Sequence, residues 1–131
     1  MLIDNYIIFL RRIRMQEVYP VLFTTTEECI LVEVPDLEVL TEGKNMFDAV
    51  KMARDAIQLK LVVLEDEKAK IPRPTELENI ELSKGEFAEE GKTIVSFVDA
   101  DSEEYRRQLE DCSKFNIKKL KDIIAYKRKK A

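Results

Sequence analysis

Tyr19 to Leu64 reads YPVLFTTTEECILVEVPDLEVLTEGKNMFDAVKMARDAIQLKLVVL. Val18 to Thr24 is aromatic and β-branched and gives way to the polar run Thr24-Thr25-Thr26-Glu27-Glu28. From Cys29 to Val34 the residues alternate, with Ile30, Val32 and Val34 on one face and Leu31 and Glu33 on the other. Period-two patterning across a short polar connection predicts an antiparallel hairpin. Pro20 lies inside the first run and has no N–H for a ladder, so that strand is expected to be an edge, or to begin, at that point. Pro35-Asp36 interrupts the second strand, and Glu38 to Glu42 is predicted as a third that ends at Gly43. Asn45 then stands as a helix N-cap with Asp48 three residues on. Met46, Ala49, Val50, Ala53, Ala56, Ile57, Leu61 and Leu64 form a stripe at helical spacing, with Lys51, Arg54, Asp55 and Lys60 largely off it. The alanines on the stripe predict close approach of this helix to the sheet.

Outward from this stretch the pattern is less regular. Glu65-Asp66-Glu67-Lys68 is expected to end the helix in water. Ile71-Pro72-Arg73-Pro74 must be extended, because each proline fixes its own φ and restricts the residue before it. Residues 75–91 are acidic and read as a loop with little regular structure. Thr93 to Val98 is predicted as a buried strand. Asp101 or Ser102 caps a second helix, Glu103 to Cys112, whose apolar contacts are Tyr105 and Leu109. The chain closes with a basic segment, Lys114 to Lys130. The element order is βββα–loop–βα, which predicts an α+β fold. A small antiparallel sheet carries one long helix packed across it, followed by a short C-terminal helix.

With 131 residues, 45% of them apolar and 37% charged, the chain fits one compact domain. The net charge of −4 gives no overall basic signature for nucleic acid. There is no histidine, so the commonest general base and metal ligand is missing, and a serine or cysteine nucleophile would lack its usual partner. Cys29 and Cys112 do not form a C-x-x-C pair, and two reduced thiols are expected. No apolar run is long enough for a transmembrane helix, and a cytoplasmic location is expected. Residues 1–14 are apolar first and basic second, the reverse of a signal peptide. They are either an upstream start-codon extension, which is the favoured view, or an added strand or helix that packs on a partner. The expected division is thus an N-terminal extension, 1–14, an α+β domain, 15–112, and a basic helical tail, 113–131.

Several of these pieces stand in an order that resembles the HicB family of antitoxins, the neutralising halves of toxin–antitoxin pairs. They are Tyr19-Pro20-Val21, Val32-Glu33-Val34-Pro35-Asp36-Leu37, Thr41-Glu42-Gly43, Asp48-Ala49-Val50, Ile71-Pro72-Arg73-Pro74 and Val98-Asp99-Ala100-Asp101. Each is weak alone; the joint order and spacing carry the resemblance. It implies a partial RNase H-like fold and a partner that is a small, basic, RNA-cleaving toxin of the HicA type. It also implies a non-enzymatic antitoxin that works by covering the toxin. The acidic loop from Glu76 to Glu90 is the natural source of attraction for a basic partner. Glu33, Asp36, Glu86, Glu89 and Glu90 are the expected toxin-facing residues.

An RNase H-like fold also raises the question of a nuclease, which needs carboxylates converging on magnesium. The acids available are Glu33, Asp36, Asp48, Asp99 and Asp101. The first strand, from Val18 to Phe23, supplies none, Asp48 is placed for capping, and Asp99 and Asp101 stand where an acid complements a helix N-terminus. No catalytic residue, metal or cofactor is therefore expected. The basic tail offers Lys118, Lys119, Lys121, Lys127, Arg128, Lys129 and Lys130 for phosphates or an acidic partner surface. Its Ile117, Leu120, Ile123 and Ile124 are suited to oligomer packing. Many HicB proteins carry a DNA-binding domain here, and this tail is too short for a complete one, so DNA contact and autorepression are expected to be weak. A dimer or tetramer is expected. Beside the antitoxin stand a nucleic-acid-binding module, an oligomerisation domain and a degenerate RNase H-like nuclease.

Overall fold

The computed structural model describes residues 16–112. The expected extension, 1–14, and the tail with its lysines and isoleucines lie outside the described residues. Among the described residues four antiparallel strands form one sheet: β1 (Gln16–Thr25), β2 (Ile30–Val34), β3 (Val39–Gly43) and β4 (Lys92–Asp101), in the order β3-β2-β1-β4. Helix α1 (Met46–Asp66) crosses one face, and α2 (Ser102–Cys112) packs on α1. The α+β architecture predicted from the pattern is the one observed.

The hairpin forms as its alternation requires, with Leu22 opposite Glu33 and Thr25 opposite Ile30. Thr26 tightens the turn, its hydroxyl donating to the Cys29 carbonyl at 2.8 Å and accepting the Cys29 N–H at 3.1 Å. Pro35-Asp36-Leu37 makes one turn of 3₁₀ helix and delivers Glu38 at φ 54°. Asn45 caps α1 by accepting the Asp48 N–H at 2.9 Å, and Asp48 reaches back to accept the Lys44 N–H at 2.9 Å. Asn45 satisfies a donor that the helix itself cannot, and Asp48 fastens the residue before the cap.

Tyr19, Val21 and Phe23 of β1, Val32 and Val34 of β2, and Val98 and Ala100 of β4 meet Ala49, Ala53, Ala56, Ile57 and Leu61 of α1 in a single core. The alanines let the helix lie close to the strands. Gly43 marks the tightest point, where a Cβ would come within 2.3 Å of the Ala49 backbone nitrogen.

The edge expected at Pro20 is found there and only there: β1 lies inside the sheet as a whole, but its ladder with β2 runs only from Leu22 to Thr25, so no described strand lies on that flank of Pro20. Two other local expectations change. Among the described residues β4 is, like β3, an edge strand, and it is not buried along its length: Val98 and Ala100 are, whereas Ile94 and Phe97 are 45% and 47% exposed. For Ile94 the reason is reach, since α1 covers only the end of β4 that leads to α2, whereas Phe97 lies on the opposite face, opposite Pro20. Finally, the C-terminus of α1 does not end freely in water. Glu65 accepts from the Ser102 hydroxyl at 2.7 Å and from Arg106 at 3.0 Å, and Arg106 also reaches Asp66 at 2.8 Å.

Candidate functional site

On the face of the sheet away from α1, the segment between α1 and β4 lies over Pro20, Leu22 and Glu33. Two prolines keep its first part extended, and the buried Tyr19 hydroxyl donates to the Pro72 carbonyl at 2.7 Å. Burial, with the Glu17 and Asp36 charges adding, pushes the Tyr19 phenol up to about 12. Asp36, on the turn after β2, accepts the Thr75 N–H at 2.9 Å and the Thr75 hydroxyl. Two short 3₁₀ turns follow, Leu77–Asn79 and Leu82–Lys84. The segment is fastened again where the Glu86 N–H donates to Glu33 Oε1 at 2.9 Å. Gly85 permits that approach, because a Cβ there would stand 3.0 Å from Leu22 Cδ1 and 3.1 Å from Glu33 Oε1. The Glu33 carboxyl is pushed up, first by burial and also by the charge of Glu86, against the Glu86 N–H that favours its ionised form.

A strap results, held at Asp36 and Glu33, over a cleft of about 280 Å³ floored by Pro20, Leu22 and Pro35 and walled by Thr75, Ile80 and Lys84. Between Glu76 and Glu90 it carries six glutamates and one lysine. Lys84 pairs with Glu81 at 3.2 Å, while Glu86, Glu89 and Glu90 are exposed. The five acids marked in the sequence thus fall into two groups. Glu33 and Asp36 turn towards the strap and hold it; Glu86, Glu89 and Glu90 are displayed on it. The anchoring role was not legible in the sequence, although an acid directly after Pro35 and a threonine directly after Pro74 are the residue types that such a clasp uses.

The acids at the other end of the sheet have structural partners. Arg54 donates to the Asp99 carboxylate at 2.9 Å and to its backbone carbonyl at 3.2 Å, and holds the Asp99 carboxyl below the usual range. Asp101 accepts the Glu103 and Glu104 N–H groups, each at 3.1 Å, and so caps α2, while its other oxygen accepts from Gln16 at 3.0 Å. Among the described residues no three acids, cysteines or histidines are placed to hold a metal ion.

The sheet with the helix across it has a counterpart in known proteins. A family model described as HicB-like antitoxin of bacterial toxin–antitoxin systems matches residues 19–127. The chain belongs to the HicB-like antitoxin family. The match takes in the strap and most of the basic segment beyond α2. Two solved structures share the HicB-like fold. A chain of a toxin–antitoxin complex from Streptococcus pneumoniae superposes with a TM-score of 0.61 at 19% identity, over 86% of this chain and 99% of that one. A chain of a HicA3 and HicB3 toxin–antitoxin complex superposes with a TM-score of 0.52 at 26% identity, over 64% of this chain and 98% of that one. Among curated proteins, none matches the sequence. No helix among the described residues is long and apolar enough to cross a membrane.

Proposed function

We propose that this chain neutralises a small basic toxin of the HicA type by binding it and covering its RNA-cleaving surface, without chemistry of its own. The family match over residues 19–127 carries the reading. The likeness to a chain of the HicA3–HicB3 complex supports it, as does the strap, whose exposed Glu86, Glu89 and Glu90 would draw a basic partner by long-range attraction. Covering, not catalysis, also suits the partners of Asp99 and Asp101, which are used to tie β4 to α1 and to start α2.

The test begins with a search of the adjacent reading frames, one of which should encode a basic protein of roughly 60–90 residues, the size of a small single domain. Its product should cleave RNA, and equimolar antitoxin should stop the cleavage. Glu86→Lys/Glu89→Lys/Glu90→Lys should slow association at low salt and lose that handicap as salt rises. Failure of the unaltered protein to bind or silence that product would overturn the reading. RNA or DNA cleavage by the antitoxin alone, abolished by Asp99→Ala, would do the same.

A further inference from the structure

The outer edge of β4 divides into a covered half and an open half. The side chains of α1 close one half: Arg54 donates to the Asp99 carbonyl and Gln58 accepts the Asp101 N–H at 3.1 Å. In an antiparallel strand a residue directs its N–H and C=O to one side, and every second residue uses the same side. Asp99 and Asp101 therefore place Thr93, Val95 and Phe97 on the outer edge as well. The pairing with β1 agrees, since Phe97 lies opposite Pro20, which could not exchange hydrogen bonds with it. No hydrogen bond from another described residue reaches the outward backbone groups of these three.

Such edges are ordinarily blunted by charge, proline or a bulge. Here Thr93 to Val98 carries no charge and no proline, and the β1–β4 ladder runs without interruption from Thr25↔Lys92 to Gln16↔Asp101. The open set is symmetric about Val95. We infer that β4 is a self-pairing edge, on which a second copy of this chain adds its own β4 antiparallel across a two-fold axis at Val95.

In that register Val95 exchanges both hydrogen bonds with Val95 of the other copy, and Thr93 does so with Phe97 in each direction. The ladder stops on its own where Arg54 occupies Asp99. On the strap face the row would read Phe97 and Val95 from each copy, flanked by Val18, which is 46% exposed. On the helix face the two Ile94 side chains become diagonal neighbours, within reach of each other. Both exposed apolar residues of β4 are covered by one pairing. The uncharged edge offers nothing to select a basic partner, and it lets two chains of net charge −4 meet where their like charges are absent. The inference does not depend on the toxin reading, and it is tested on the full chain alone.

Sedimentation equilibrium at about 10–100 µM, where an interface of micromolar strength is populated, should give an even multiple of the chain mass. Val95→Pro removes only an outward N–H, which an edge strand tolerates. It should halve the assembly while leaving the melting temperature of the monomer fold in place. Independently, Val95→Cys with Cys29→Ser and Cys112→Ser should form a disulfide dimer on mild oxidation. Paired Cα atoms at a hydrogen-bonded site lie about 5.5 Å apart, within disulfide range. Thr93→Cys, which faces Phe97 of the other copy, should not. A monomeric full-length chain overturns the inference, as does an unchanged mass for folded Val95→Pro, or equal cross-linking at Thr93 and Val95. A dimer that forms only when residues 1–15 or 113–131 are removed also overturns it, because the edge would then belong to that segment. So does a Val95→Pro variant that keeps its mass and loses only the toxin, since that assigns the edge to the toxin.

Discussion

Glu33 concentrates the conflict in the strap. Its carboxylate is needed as an acceptor for the Glu86 N–H, yet it is partly buried and stands near the Glu86 charge. Both effects raise its pKa in the folded protein. A carboxylate whose folded pKa lies above its unfolded value weakens the fold above that pKa, and the penalty fades as pH falls and the group takes a proton. Glu33→Gln keeps an acceptor oxygen and removes the charge. The variant should therefore melt higher than the parent at pH 7, and the gap should close once the pH drops below the ordinary glutamate range. Thermal melts at pH 7 and pH 4 decide it, and a lower melting temperature at pH 7 would refute it. Tyr19 sets the opposite limit. With its phenol raised to about 12, the stability that the neutral hydroxyl gives is full below the ordinary tyrosine pKa near 10 and is lost as pH rises through the folded value.

At the scale of elements, two joints fix how the pieces meet. Gly43 lets the N-terminus of α1 rest against β3. Gly43→Ala drives a methyl into the Ala49 backbone, which cannot yield as a flexible side chain would. It should cost about 1–3 kcal/mol, at the upper end of overpacking, readable by urea denaturation. Arg106 joins α2 to α1 by reaching Glu65 and Asp66 together. Arg106→Ala leaves the largely buried Glu65 without its cation and should cost about 2 kcal/mol, seen as earlier exchange of the α2 amides. These joints explain what the sequence could and could not disclose. The hairpin, the Asn45 cap and the α1 stripe were legible because each is written in neighbouring residues: alternation, cap spacing, a 3.6-residue period. The burial of Glu65 and the clasp of Asp36 on Thr75 were not, because their partners lie 37 to 41 residues away and a charged run looks the same whether or not a distant arginine or hydroxyl meets it. β4 was read as buried because TIVSFV is uncharged and mostly apolar. An uncharged run fits a covered strand and an open edge equally well, and only the sheet order separates them.

At the scale of the whole molecule the relation to test is that between the domain and the basic segment that follows α2. The family match extends to residue 127, so that segment belongs with the antitoxin, but its lysines and its isoleucines suit different tasks. If Lys118, Lys119, Lys121, Lys127, Arg128, Lys129 and Lys130 meet DNA, the contact is with phosphates, since lysines carry charge and little capacity to read bases. Each phosphate neutralised releases counterions, and affinity then falls steeply with salt. If Ile117, Leu120, Ile123 and Ile124 pack on the toxin or across an oligomer, the contact is apolar and nearly indifferent to salt. One truncation separates the two. Removing residues 113–131 and measuring DNA binding, toxin neutralisation and sedimentation at 50 and 300 mM salt should show packing as the larger role. Neutralisation or assembly mass should fall at both salt concentrations, and the DNA binding of the intact chain should be weak and confined to low salt. Full neutralisation and unchanged mass in the truncated protein, together with loss of salt-sensitive DNA binding, would assign the segment to nucleic acid instead.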